Sequence, residues 1–336
     1  MAGRIAILAL TGGGQQPAEQ LAAELVGSTV FPCRGRLRST MHQCWHEYDG
    51  LICIMATGIV VRTLAPLLKD KRQDPAVVVC DEKGRFAVSL LSGHLGGGNA
   101  LTLRVAEILG GQAVITTASD VLGHTALDIW ARDLGLVVAE NSKRKLTGVM
   151  GKLVNQGSVS LYSDYPLPDL PEDIELQPAP ESADLVITCR TDLQTGSAVL
   201  HPKGLVAGIG CNRNTPAEEI DQALREACRE NQLALESVRS LASIDLKNDE
   251  PGLLEFADTH GYTIDFYTRD QLNGVENVST SAAVLKATGA KGVAEPAAVL
   301  ASGGDRLLVK KMKWANVTVA LAEIEFPFKG MEETYT

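Results

Sequence analysis

Residues 89–100 read SLLSGHLGGGNA, which sets two serines, one histidine and four glycines directly ahead of a stretch with helical spacing. Imidazole exchanges protons near neutral pH, so His94 in such a loop is a candidate general base or acid, with Ser92 beside it. Gly96, Gly97 and Gly98 carry no side chains to block a ligand, and their N–H groups adjoin a helix start, where partial positive charge favours anions. These three residues are expected to stabilise an oxyanion. A phosphate-binding P-loop is excluded: Gly93 and Gly98 fit G-x-x-x-x-G, but Asn99 and Ala100 stand where lysine and a hydroxyl are needed. The turns TGGGQQP and GIGCNR each lack the third glycine of a dinucleotide fingerprint, with Pro17 and Arg213 in its place.

Other clusters carry less. HQCWH brings His42, Cys44 and His46 together, and on a strand all three would share a face, but no fourth ligand is evident and no metal site is expected. Neither H-E-x-x-H nor G-x-S-x-G occurs. Basic residues cluster at Arg62, Lys69, Lys71 and Arg72, at Lys143, Arg144 and Lys145, and at Lys310, Lys311 and Lys313. In a protein of net charge -10 these are the places where a multiply carboxylated ligand would dock.

The elements that must position these residues follow from hydrophobic spacing. RIAILAL and GLICIM each lead through a Gly-containing turn into an amphipathic stretch, the alternation of a parallel α/β sheet. AVVVCDEKGRFAVSLL reads as a hairpin around DEKG. After the glycine loop, Asn99 is placed to cap a helix whose stripe is Leu101, Val105 and Ile108, and QAVITT supplies another strand. The pattern is helical from HTALDIWARDLG to about Gly157, and SVSLY and DLVITC then read as strands around a Pro-rich stretch unsuited to regular structure. A new unit opens at GLVAGIGCNRNTP, where Thr215, Pro216 and Glu218 fit a capping box. Helical DEPGLLEFADTHG, STSAAVLKATG and AEPAAVLASG alternate with strands TIDFY, RLLVKK and NVTVALAEI. The expected class is α/β: an open, parallel-type N-terminal domain (1–124), a middle segment (125–203), a compact C-terminal α/β domain (204–326) and a tail (327–336).

Composition bounds the partners. With 336 residues, 45% hydrophobic and 21% charged, the chain is long enough for about two cores and ordinary for a globular protein. RIAILAL is too short to span a bilayer, and the seven cysteines form no C-x-x-C pair, which indicates reduced thiols and a cytoplasmic protein without membrane association. The negative charge and an aromatic content of 4% argue against nucleic acid.

ATGIVVRTLAPLLKDKRQDPAVVVCDEKGRFAVSLLSGHLGGGNALTLRVAEILG, followed by ITTASD, strongly resembles the N-terminal region of the cobalt-precorrin-5A hydrolases of anaerobic cobalamin biosynthesis. GIGCNRNTP, LASIDLKNDEPGL and GVAEPAAVLASGGDRLLVKK resemble the family's C-terminal domain, which also occurs as a stand-alone protein of the pathway. The resemblance implies that water opens the δ-lactone on ring A of a cobalt-containing corrinoid and that the methylated bridging carbon C20 leaves as acetaldehyde, giving cobalt-precorrin-5B. It also implies that cobalt arrives inside the substrate, with no protein-bound cofactor or metal, and that neighbouring enzymes of the pathway are partners. Lactone hydrolysis needs an activated water, oxyanion donors and a proton for the leaving group.

His94, Ser92 and Asp120 are the expected catalytic residues, with His94 activating the water. The expected substrate contacts are Thr57, Gly58, Arg62, Lys71, Gly96, Gly97, Gly98, Asn99 and Thr117, joined by Asn212, Lys247, Glu250 and Glu295 from the second domain. Arg62 and Lys71 would bind substrate carboxylates, and Thr57, Ser92, Thr117 and Asp120 are expected as neighbours because each follows a strand end. The alternative is a non-catalytic protein that shields and passes on the corrinoid intermediate. A nucleotide-dependent oxidoreductase rests only on Gly-rich turns.

Overall fold

The computed structural model describes residues 3–70, 73–94, 96–193 and 196–328. They form two compact units, Met1–Ile129 and Trp130–Thr336.

In the first unit the elements run β1 (Ile5–Ala9), α1 (Gln15–Glu24), β2 (Ser28–Pro32), α2 (Leu37–Glu47), β3 (Gly50–Ile54), α3 (Thr57–Leu64), β4 (Ala76–Cys80), β5 (Phe86–Leu91), α4 (Gly98–Leu109), β6 (Gln112–Val114), α5 (Ala118–Leu122) and the start of α6 (Leu127–Asp133). The sheet order is β2-β1-β3-β4-β5-β6. β1, β3 and β4 are buried at every position, because alternate residues serve two different cores. Ile7, Ile52, Ile54 and Val78 pack with Leu21 of α1 and Leu101 and Val105 of α4, whereas Leu8, Leu51, Cys53 and Val77 pack with Met41 and Trp45 of α2 and Val60 and Leu64 of α3. A sheet clothed on both faces leaves only its strand ends open to ligands.

Which ends are open for chemistry is decided by strand direction. β2, β1, β3 and β4 are mutually parallel. The DEKG turn reverses the chain, so β5 pairs antiparallel to β4, with Leu91 opposite Val77. β6 then pairs parallel to β5, from Phe86 opposite Gln112 to Val88 opposite Val114. The segments that leave β5 and β6 therefore lie at the opposite end of the sheet from those that leave β1, β3 and β4.

The second unit holds two sheets. β7 (Val137–Val138), α7 (Lys143–Gln156), β8 (Val159–Ser163), β9 (Ile174–Leu176), β10 (Leu185–Ile187) and β11 (Ala198–His201) build one, in the order β7-β11-β10-β8-β9. The short β7 interrupts the expected helical run, and β9 lies in the Pro-rich stretch expected to be irregular, where it pairs parallel to β8. The other sheet comprises β12 (Leu205–Cys211), α8 (Ala217–Glu230), β13 (Val238–Ile244), α9 (Pro251–His260), β14 (Thr263–Tyr267), α10 (Arg269–Gly274), α11 (Ala282–Thr288), α12 (Ala294–Ser302), β15 (Leu307–Lys313) and β16 (Val317–Glu323), ordered β14-β13-β12-β16-β15. Lys310, Lys311 and Lys313 lie on the edge strand β15, where lysines discourage pairing with a further strand. The expected capping box at Thr215 does not form: the Thr215 hydroxyl donates back to the Asn212 carbonyl, 2.9 Å, and Pro216, in extended conformation, is the N-cap of α8. A reciprocal box forms instead at Thr268 and Gln271.

All seven cysteines are free thiols, and all except Cys211 are buried. Burial pushes the thiols up, to about 11 for Cys44 and Cys189 and about 12 for Cys80 and Cys228. Native protein at neutral pH is expected to react with a thiol reagent such as Ellman's at Cys211 alone, and at every cysteine once unfolded. Rapid titration of three or more thiols in the native state would contradict this packing.

Candidate functional site

The glycine loop is built by its own backbone. The N–H groups of Gly97, Gly98 and Asn99 donate to the carbonyls of His94, Ser92 and Gly93, at 2.8, 3.0 and 2.8 Å. This overturns the expectation that Gly97 and Gly98 offer free N–H donors to an oxyanion, since both are already bonded within the loop. The glycines are required for closeness instead. A Cβ on Gly98 would sit 2.7 Å from the Leu91 carbonyl oxygen, and one on Gly96 would sit 2.5 Å from the Ser92 Cβ. Ser92 itself has φ 54, and its hydroxyl donates to the Asp74 carbonyl at 2.8 Å, which anchors the loop to the segment ahead of β4. That role, rather than proton transfer beside His94, is where the structure places Ser92.

Asn99 is also reassigned. It lies inside α4, whose N-cap is Gly97, so its side chain is not a cap. Buried to 7% exposure, it accepts from the Ser89 hydroxyl at 2.7 Å and donates to Thr117 Oγ1 at 3.1 Å and to Asp120 Oδ2 at 2.9 Å. Such a network fixes the amide orientation and hence that of the carboxylate it holds.

The same Oδ2 of Asp120 lies 2.8 Å from His94 Nε2. Ser119 Oγ is 3.2 Å from that nitrogen, and Asp128 Oδ1 is 3.6 Å from Nδ1 on the other side of the ring. The His94 and Asp128 side chains are 12% and 13% exposed, against 39% for Asp120. Asp120 is thus the group of this cluster that meets solvent, and His94 stands behind it. A carboxylate held at one oxygen by the Asn99 amide, with an imidazole nitrogen in hydrogen-bond reach of that same oxygen, is equipped to take a proton from water and return it. Ser119 and Asp128 were missed in the sequence. Ser119 lies within the recognised ITTASD, but Asp128 sits 34 residues beyond His94 in the first turn of α6, with no local signal linking them.

Of the other expected residues, Thr117 joins the cluster. Thr57, Gly58 and Arg62 do not: they follow β3, at the far end of the sheet, a strand length of roughly 16 Å away. The hairpin reversal is the reason, because strand ends collect on one side only where the strands are parallel. The Arg62 guanidinium folds back over Gly58, 3.4 Å from the position a Cβ would take. Lys71 lies outside the described residues. His42 and His46 sit one turn apart on the exposed side of α2 with rings 5.0 Å apart, while Cys44 faces the core, so the trio shares no face.

In the second unit Asn212 is exposed and donates to Asn316 Oδ1 at 2.9 Å. Lys247 and Glu250 come together as a pair at 2.9 Å, but Glu250 is fully buried, accepting also from the Asn214 N–H at 2.6 Å. Burial raises its carboxyl, and the hydrogen bonds of Lys247 and Asn214 together with the charge of Arg213 outweigh that and hold it below the usual glutamate range. Glu295, 2% exposed, accepts from the Ser279 hydroxyl at 2.9 Å and the Lys311 N–H at 2.8 Å. Its carboxyl is also held low, the same donors outweighing burial. Both glutamates tie loops together, and neither offers an exposed carboxylate to a ligand.

Three family descriptions match successive stretches of the chain: "Cobalamin synthesis G N-terminal" at 39–120, "Cobalamin biosynthesis central region" at 125–202 and "Cobalamin synthesis G C-terminus" at 205–322. A Priestia megaterium protein named cobalt-precorrin-5A hydrolase is 39% identical over 312 residues, covering 87% of this chain and 83% of that one. A Salmonella typhimurium protein of the same name is 36% identical over 342 residues, covering 94% and 97%. A crystal structure of a cobalamin biosynthesis protein G homolog from Sulfolobus solfataricus covers 96% of this chain and 97% of its own, at 20% identity and a TM-score of 0.39.

Proposed function

The chain belongs to the cobalt-precorrin-5A hydrolase family, and from that membership we propose that it opens the ring A δ-lactone of cobalt-precorrin-5A with water and releases C20 as acetaldehyde, leaving cobalt-precorrin-5B. It is a hydrolase of cobalamin biosynthesis. The observation that best supports the chemistry is the pairing of Asp120 with His94 at 2.8 Å, exposed on one side and buried on the other. In this reading a water beside Asp120 gives up a proton to the pair as its oxygen adds to the lactone carbonyl. The acyl carbon–oxygen bond then breaks towards the ring oxygen, which takes the proton back, so that one water is consumed.

Cobalt belongs to the substrate, and the chain needs no resident cofactor for these proton transfers. Substrate carboxylates are the natural ligands of Lys and Arg near this end of the sheet, and Lys69 lies in the segment to which Ser92 is tied through Asp74. We place the protein in the cytoplasm on its free thiols, with other enzymes of the pathway as its partners. Among the described residues no helix is long and apolar enough to cross a membrane.

The test is incubation with cobalt-precorrin-5A, following acetaldehyde with an NADH-coupled alcohol dehydrogenase and the opened corrinoid by mass spectrometry. One acetaldehyde per corrinoid is expected. Binding of the corrinoid without any acetaldehyde would replace the enzyme by a carrier.

A further inference from the structure

Most of the first unit hides its apolar side chains between the sheet and its helices. The short helix α5 does the opposite. Val121 is 67% exposed and Leu122 is 55% exposed, and among the described residues they are the only two large hydrophobic side chains left exposed next to each other in the chain. Exposed leucines and valines scattered singly need no explanation, whereas an apolar patch marks a contact surface. Its place on the helix is specific. Ser119 is buried, so at about 100° per residue Val121 points outward, with Asp120 on one side of it and Leu122 on the other. The helix is tied at both ends, by the Val121 N–H to the Thr117 carbonyl at 3.0 Å and by the His124 N–H to the Ser119 carbonyl at 2.8 Å. The patch is therefore held out to solvent directly beside the carboxylate of the candidate site.

We propose that Val121 and Leu122 form an apolar platform for one face of the substrate macrocycle, and that this platform sets the edge of the ring against Asp120. The assignment rests on the proposed lactone hydrolysis and adds to it the surface that recognises the ring itself.

The occupant follows from size and chemistry. A corrinoid presents a broad face of ring carbons and methyl groups and carries its carboxylates on short arms. That face is wider than one turn of helix, about 5.4 Å, so a ring whose edge reaches Asp120 covers the residues beside it. The polar groups of the site, Asp120, His94, Ser119 and Asn99, are bonded to one another and give an apolar face nothing to pack against. Val121 and Leu122 supply that contact, and covering them removes apolar surface from water. The contact is made equally before and during the chemical step, because it lies on the ring and not on the bonds that change. Its contribution is to KM and not to kcat.

The test uses the full-length chain carrying Val121→Ser, Leu122→Ser, both together, or Val121→Ile. Phe86→Ser is the control, since it removes a half-exposed apolar side chain from the start of β5, at the opposite end of the sheet. Each serine at 121 or 122 is expected to raise KM for cobalt-precorrin-5A about tenfold, and to raise Kd, followed by visible absorbance, by the same factor. The kcat for acetaldehyde release should stay within about twofold of the unaltered chain. Val121→Ile and Phe86→Ser should keep both KM and Kd, and thermal midpoints should not move, because the side chains removed already face water. A double variant with unaltered KM and Kd overturns the proposal, and so does a loss confined to kcat. A change in sedimentation with no change in corrinoid binding also overturns it, by making the patch an interface between copies of the chain. If the unaltered chain binds the corrinoid but releases no acetaldehyde, the hydrolase reading fails, and the Kd series still decides this one.

Discussion

An Asp120→Asn protein is expected to bind cobalt-precorrin-5A and to release acetaldehyde about 10²–10⁴ times more slowly than the unaltered chain. The size of the effect follows from what the substitution leaves in place. The amide oxygen of asparagine still accepts from Asn99, so α5 keeps its position, and the side chain volume is unchanged. What is lost is the ability to take a proton, and with it the only group of the cluster that is more than a third exposed. The measurement is kcat under saturating substrate, with corrinoid binding followed by its visible absorbance. An Asp120→Asn protein within threefold of the unaltered rate would remove Asp120 from the chemistry.

Gly252→Ala is expected to destabilise the second unit by about 3 kcal/mol, the upper end of the usual cost of overpacking, because the clash is with backbone. A Cβ at Gly252 would lie 1.9 Å from the Thr215 carbonyl oxygen and 3.2 Å from the Ala217 nitrogen. These are backbone atoms at the start of α8, so no side chain can turn away to make room. The start of α9 and the start of α8 must separate, which also pulls Asn214 from Glu250. Gly148→Ala is the control of opposite sign: in α7 with nothing within 4 Å of the added carbon, it should stabilise by about 0.5–1 kcal/mol. Urea midpoints of the two variants should move in opposite directions. A Gly252→Ala midpoint equal to that of the unaltered protein would contradict the close approach of these helices.

Much of the fold is legible in the sequence because apolar runs and turn residues act locally. The fully buried strands IAILA and AVVVC, the DEKG reversal and the helix after the glycine loop all appear where hydrophobic spacing predicts them. The site is legible only in part, because its assembly is set by strand direction. The hairpin was readable, but its consequence for Thr57 and Arg62 appears only when the register of β5 against β4 is followed to Leu91. Polar residues in strong motifs mislead in another way: Glu250 and Glu295 look like ligands until their burial and donors are seen. Asn99 and Thr215 misled as caps because a short polar side chain ahead of a helix has several bonding options, and tertiary partners chose among them.

The buried thiols acquire a meaning from the proposed product. Acetaldehyde is an electrophile, and a protein that releases it at every turnover meets it at the highest local concentration. Thiolates add to aldehydes far faster than thiols do. Burial pushes the Cys44, Cys189, Cys80 and Cys228 thiols well above their ordinary value, so few molecules carry any of them as a thiolate at neutral pH. The close packing within each of the two units thus gives the chain tolerance to the product proposed for it.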